Sequence, residues 1–286
     1  MPAGHSLKSQ LESLLLRFPP ANRVHTDPLL FPRRYFEMGR SRQEVEAVGL
    51  LAAMLAYGAV PLFTRVIGWI IDETDGRFLD GIAPPAFCCF SHGYRLSTAE
   101  DISRFCRAVG RVIKKSGGIW EAFSEGWRLE QTVRAGLTSL NSALASELDY
   151  SSFQAAPHGL RHLLPNPAGG GCVKRWHMFI RWMVRPDDGA DLGLWPEVPS
   201  SALLMPIDRH ISRIARNLGL TSRKSDDWKT AEEITAALRR FDPKDPVKYD
   251  FALCHLGIDG ECTHGRDKHL CSACTLSDHC LKGSNE

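Results

Sequence analysis

Cys262, Cys271, Cys274 and Cys280 stand within 19 positions of a 286-residue chain, separated by eight, two and five residues. Thiolates on so short a loop suit a 4Fe-4S cluster or a tetrahedral zinc ion, and need no regular structure between them. Structural zinc usually takes two close pairs. Here one close pair is flanked by two solitary cysteines, an asymmetry that favours the iron–sulfur cluster and leaves zinc as the alternative. His264, His269 and His279 lie in the same stretch, as replacement ligands or as solvated loop side chains. Cys88, Cys89, Cys106, Cys172 and Cys254 have no ligand spacing and read as small buried hydrophobes.

A second group of reactive types surrounds a proline- and glycine-rich segment, Pro165-Asn166-Pro167-Ala168-Gly169-Gly170-Gly171, followed by Cys172, Val173 and Lys174. The three glycines are either a flexible connector or a bend whose backbone N–H groups approach a phosphate, helped by the helix N-terminus that follows. Lys174 reads as a first-turn lysine or a phosphate contact. Beyond it come Arg175, His177, Arg181 and Arg185, interleaved with Trp176, Phe179 and Trp182. At helical spacing Arg181 and Arg185 share one face as a basic stripe, while the aromatics face a core. Asp208 immediately precedes the apolar series Ile211, Ile214, Ala215 and Leu218, the position of a helix N-cap.

The elements that must position these residues are helical. Apolar periodicity predicts helices over Val45–Tyr57, Leu62–Asp72, Ala99–Lys115, Leu129–Leu148, Lys174–Val184, Arg209–Leu218, Thr230–Phe241 and Val247–Leu256. Almost nothing alternates with period two. The separators are rich in proline and glycine, as at Ala83-Pro84-Pro85 and Arg185-Pro186-Asp187-Asp188-Gly189. The fold class is therefore all-α, one unit over residues 1–286 arranged as two lobes with an active cleft between them, and a metal-cluster loop at 262–280.

Composition bounds the function classes. A hydrophobic share of 43% and a charged share of 24% exclude disorder and a membrane fold, and no apolar run reaches spanning length. Met1 to Gln10 lacks the features of a signal peptide, so a cytoplasmic location is expected, and nine cysteines there do not form a disulfide framework. The net charge of +2 says nothing about nucleic acid, because a local patch binds phosphate.

The cysteine tail resembles the iron–sulfur loop of endonuclease III and the adenine-mismatch glycosylases, with the last two spacings equal and the first gap two residues longer. Pro206-Ile207-Asp208-Arg209-His210 and the Arg216-Asn217-Leu218-Gly219-Leu220 ending resemble that superfamily's run around its catalytic aspartate. Lys174 takes the place of the lysine that ends its hairpin. Lys174 to Arg185 and Phe241 to Phe251 are similar to a bacterial branch of these helix-hairpin-helix DNA glycosylases. Leu55-Ala56-Tyr57-Gly58-Ala59 occupies the place of an L-S-A-Q-A turn, with Gly58 where the family carries a DNA-inserting glutamine.

The resemblance implies a monomer that acts on double-stranded DNA and removes a damaged or mismatched base, with Lys174 and Asp208 as the catalytic pair. A carboxylate and a nucleophile at C1′ together lower the barrier to an oxocarbenium-like transition state. An attacking lysine needs a free amine, so its pKa is expected to fall through burial, Arg175 and the helix N-terminus. The imine formed would permit β-elimination, making a combined glycosylase and AP lyase. Gly169, Gly170, Gly171, Arg175, Arg181 and Tyr57 are the expected DNA contacts, with Arg266 and Lys268 as phosphate contacts of the loop. The alternative is a non-catalytic lesion or structure sensor of the same fold.

Overall fold

The computed structural model describes residues 6–83 and 90–282. Cys88, Cys89 and the Pro84-Pro85 separator lie outside them. Among the described residues the regular elements are helices, with two isolated β-bridges, Tyr94 with Ser97 and Gly171 with Asp227. In chain order the helices are α1 (Leu7–Arg17), α2 (Leu30–Glu37), α3 (Arg42–Leu55), α4 (Val60–Asp72), α5 (Phe78–Gly81), α6 (Ala99–Ser116) and α7 (Ile119–Glu130). There follow α8 (Val133–Ser146), α9 (His158–Leu163), α10 (Lys174–Val184), α11 (Arg209–Asn217), α12 (Trp228–Arg239), α13 (Asp250–Ile258) and α14 (Lys268–Ser272). No helix among the described residues is long and apolar enough to cross a membrane.

The all-α expectation holds, with local corrections. The run Leu129–Leu148 is not one helix. Gln131 adopts φ 53° and ends α7, and the Thr132 side chain then caps α8. Val247–Leu256 is likewise divided, into a 3-10 turn at Pro246–Tyr249 and then α13. Helices α1, α2, α5, α9, α14 and most of α7 lie outside the predicted runs.

The chain divides into two compact units, each discontinuous in sequence. The larger comprises residues 24–169 and 178–196. At its centre is α3, whose residues from Glu44 to Leu55 are all buried, as a helix apolar nearly all round requires. Helices α2, α4, α5, α6 and α7 pack around it. Helices α7 and α8 pack closely: a Cβ on Gly126 would stand 2.2 Å from the Ala135 carbonyl oxygen.

One buried carboxylate organises this core. Glu46 accepts from Trp195 Nε1 at 2.7 Å, from Arg42 Nε at 2.9 Å and from the Ile119 and Trp120 amides. It thereby caps α7, whose own N-cap is the side-chainless Gly118. Burial pushes the Glu46 carboxyl up, against these bonds.

The smaller unit comprises residues 1–23, 170–177 and 197–286. It holds α1, the first turn of α10, and α11 to α14. Helix α13 packs on α11 and α1. Gly257 allows the α11 approach, since a Cβ there would lie 2.7 Å from His210 Cβ.

Candidate active site

The glycine-rich bend is fixed at both ends by hydrogen bonds. In the larger unit, the Asn166 side chain accepts from the Ala168 amide at 3.0 Å, and Arg134 of α8 donates to the carbonyls of Ala168 and Gly169. In the smaller unit, the Gly170 carbonyl accepts from the Trp228 amide at 2.9 Å, beside the Gly171–Asp227 bridge. Gly170 and Gly171 are exposed, and a Cβ on either would meet nothing within 4 Å. Their backbone is open to an incoming group. Val173 adopts φ 36°, a left-handed conformation that is strained for a β-branched residue, directly before Lys174 opens α10.

Asp208 caps α11 as its position predicts. Oδ1 accepts from the amides of His210 at 2.8 Å and Ile211 at 2.9 Å. Oδ2 is left to accept from Lys174 Nζ at 2.8 Å. The two side chains expected to form a catalytic pair are thus in direct contact, 34 positions apart in sequence. They retain 30% and 21% exposure, enough to be reached from solvent.

The protonation state reverses one expectation. Burial works against the Lys174 charge, but Cys254, Asp208 and Asp250 outweigh it and hold the ammonium well above the ordinary lysine range. Burial alone would raise Asp208. The Lys174 charge and hydrogen bond, with the Ile211 amide, instead hold it below the usual carboxylate range. The resting site is an ion pair and not a free amine, because three acidic groups surround one cation.

Two further members join this site, Cys254 and Asp250, the second of which lies in the Phe241 to Phe251 run that packing explains equally well. Cys254, read as a small hydrophobe, places Sγ 3.9 Å from Asp208 Oδ2. Asp250, one turn earlier on α13, is 5% exposed and adds its charge to the field at Lys174. Only the packing of α13 on α11 brings them there.

Other expected contacts fall differently. Arg181 does not form a solvent-facing stripe with Arg185. It is 4% exposed, and its guanidinium pairs with Asp191 at 3.2 Å inside the larger unit. Arg185 pairs with the same carboxylate and with Asp188 at 3.0 Å. Trp176, Phe179 and Trp182 are core side chains, as their spacing predicts. Arg175 is partly exposed one residue beyond Lys174. Tyr57, in the larger unit, donates to the Tyr94 carbonyl at 2.9 Å and packs against Tyr94 and His162. Gly58 needs to be glycine, with φ 85° and Tyr94 Oη 2.7 Å from where a Cβ would stand.

Cys262, Cys271, Cys274 and Cys280 line one small cavity with Asn217, His264 and Ser277. Short turns place them: the Cys262 amide donates to the Leu256 carbonyl, Asp267 caps α14, and the Cys280 amide donates to the Ser277 carbonyl. The Leu281 amide closes the loop on the Asn217 carbonyl at 2.7 Å. Among the described residues, no three His, Cys, Asp or Glu side chains are grouped to hold a single metal ion. Burial, then the neighbouring cysteines, push the Cys262 thiol up, and Cys274 is raised in the same way. His264 Nδ1 lies 3.5 Å from Cys262 Sγ, whereas His269 and His279 are exposed.

Asn217 and His264 also line a second hollow of about 360 Å³, whose other walls are Arg213, Arg216, Arg266 and Lys282. Lys268 is exposed at the start of α14 and is not among them. Helix α11 therefore carries a carboxylate at its N-terminus and a cationic hollow at its C-terminus.

A model of the family described as "Protein of unknown function (DUF2400)" matches residues 27–259. No curated protein matches the chain. No solved structure does.

Proposed function

The chain belongs to this DUF2400 family, and we propose, from the site and the resemblance of its motifs, that it is a base-excision enzyme of helix-hairpin-helix type, removing a damaged or mismatched base from duplex DNA. The observation that carries the reading is the 2.8 Å contact between Lys174 and Asp208 at the head of two helices. An amine and a carboxylate this close, both reachable from solvent, are what C1′ chemistry on a deoxyribose requires.

In this reaction Lys174 passes one proton to Asp208 Oδ2 as its lone pair forms the bond to C1′. The glycosidic pair leaves with the base, which takes up a proton. The adduct nitrogen, which still carries two protons, loses one; its lone pair then displaces O4′, which takes up a proton, and the protonated imine so formed permits the β-elimination that cleaves the strand. Asp208 serves twice, first by its charge against the oxocarbenium character and then as the proton's acceptor. The exposed amides of Gly170 and Gly171 and the basic hollow of Arg213, Arg216, Arg266 and Lys282 offer the phosphate contacts that would set the register of a duplex.

The cysteine loop reads as a ligand set for a 4Fe-4S cluster, with zinc as the alternative. Four thiols share one cavity, and burial and then the neighbouring cysteines push Cys262 and Cys274 up, a donor set that positive charge at its centre would relieve. A tetrahedral zinc would draw the sulfurs to about 3.8 Å of one another, given Zn–S bonds of about 2.3 Å. Cys262, Cys271, Cys274 and Cys280 would hold the cluster, and it would supply a structural crosslink beneath the basic hollow.

The resting ion pair favours a second reading, a DNA-structure sensor that keeps the fold and does no chemistry. Borohydride trapping on duplexes carrying an abasic site or a panel of damaged bases separates the two. A covalent adduct that disappears in Lys174→Ala supports the enzyme. Binding with neither adduct nor base release on any duplex supports the sensor.

A further inference from the structure

The Lys174–Asp208 pair has a third member that neither the helix cap nor the ion pair explains. Asp208 Oδ2 accepts from Lys174 Nζ at 2.8 Å and lies 3.9 Å from Cys254 Sγ, within reach of a thiol donor. Oδ1 is already committed to the two α11 amides, so the lysine and the cysteine share one oxygen. Cys254 is partly exposed, so its sulfur is not sealed in an apolar core.

We infer that Cys254 is a positioning residue that governs the proton on Lys174. As a thiol it donates to Oδ2 and helps hold the carboxylate between α11 and α13. As a thiolate it adds a negative charge beside the ammonium and holds the proton in place. The other titratable groups facing the amine are Asp208 at the head of α11, Asp250 of α13 and Cys172 of the bend, with His210 of α11 facing the Asp208 carboxylate. An ordinary thiol titrates at about 8.5 and an ordinary carboxylate at about 4; of the two thiols here, burial pushes Cys172 up, which leaves Cys254 as the thiol in contact with Asp208. Over that interval it is Cys254, and neither aspartate, that changes the charge around the lysine. The assignment rests on the repair reading for its purpose, because a lysine that never attacks needs no such control.

The test measures the lysine directly. Competitive acylation with acetic anhydride at stepped pH, read by mass spectrometry on the full-length protein, reports when the Lys174 amine becomes free. Cys254→Ser keeps size and a donor but does not ionise in this range, and Cys254→Ala removes both. Each is expected to bring Lys174 labelling to lower pH. At a fixed pH the labelling should rise about tenfold for every pH unit by which the profile moves. Cys254→Asp, with a lasting charge, is expected to suppress labelling throughout. Superimposed profiles for wild type, Cys254→Ser and Cys254→Ala, in proteins with equal thermal unfolding midpoints, would overturn the inference. A parallel arm traps wild type on an abasic-site duplex with borohydride. No adduct with displaced profiles removes the repair reading and keeps the coupling, whereas an adduct with superimposed profiles removes the coupling and keeps the reading.

Discussion

Asp208 accepts the Ile211 amide on one oxygen at 2.9 Å and the Lys174 ammonium on the other at 2.8 Å. The cap and the proposed chemical role therefore use different oxygens of one side chain, and substitution can separate them. Asp208→Asn keeps a good N-cap and loses the charge, so stability is expected to stay near wild type while base release falls by on the order of 10²–10³. Asp208→Ala should lose the cap as well, at about 1 kcal/mol. Urea unfolding beside single-turnover base release distinguishes the two losses.

His177 predicts an acid sensitivity unrelated to the site. It is 2% exposed and edge-on to Trp228 at 4.9 Å, and burial presses its pKa to about 4, with the Met205 backbone in opposition. The unfolded chain protonates this histidine first as pH falls from about 6.5. Stability present above 6.5 is therefore lost progressively down to about 4, a total on the order of 3 kcal/mol. Urea midpoints for wild type and His177→Gln at pH 4.5 and 7.5 should differ in slope with pH, the variant being flatter over roughly that interval.

Arg181 and Asp191 make a buried pair whose rupture is costly. Arg181→Ala leaves Asp191, which is fully buried, without one of its two cationic partners. The expected loss is about 3–5 kcal/mol, whereas Arg181→Met with Asp191→Leu should recover much of it. Because Arg181 lies inside the core, any surviving folded variant should bind DNA as wild type does, measured by fluorescence anisotropy.

The basic hollow makes an ionic-strength prediction. Arg213→Ala and Lys282→Ala should each weaken binding to duplexes of any sequence. Each should also reduce the slope of log affinity against log salt by about 1, the signature of one lost phosphate contact. An unchanged slope would place the DNA elsewhere.

On the proposed cluster reading, metal loading of the cysteine loop should release protons, since burial and the neighbouring cysteines hold Cys262 and Cys274 in the thiol form. Loading is thus expected to tighten as pH rises and to reverse in acid. Cys271→Ser should lose broad absorption near roughly 400 nm, the thiolate-to-iron band expected of the cluster. It should also expose residues 262–282 to limited proteolysis while sparing α10 and α11.

Much of this arrangement is local and could be read from residue order. Helix periodicity marks α6, α10 and α11 to within a residue, because each buries one face whose spacing is set by about 3.6 residues per turn. Asp208 announces itself as a cap, and the four tail cysteines, close in the chain, line one cavity. Even the pairing of Lys174 with Asp208 was legible, although only through resemblance.

What the order of residues did not determine was which charges meet. Arg181 and Arg185 look like a surface stripe until Asp191 is found buried against both. Cys254 and Asp250 are ordinary members of an apolar helix until α13 packs on α11 and sets them beside an amine. Ionisation depends on burial and on charges that are near in space and distant in sequence. The ammonium state of Lys174 was therefore decided by tertiary structure, which alone gathers three acidic groups around that amine.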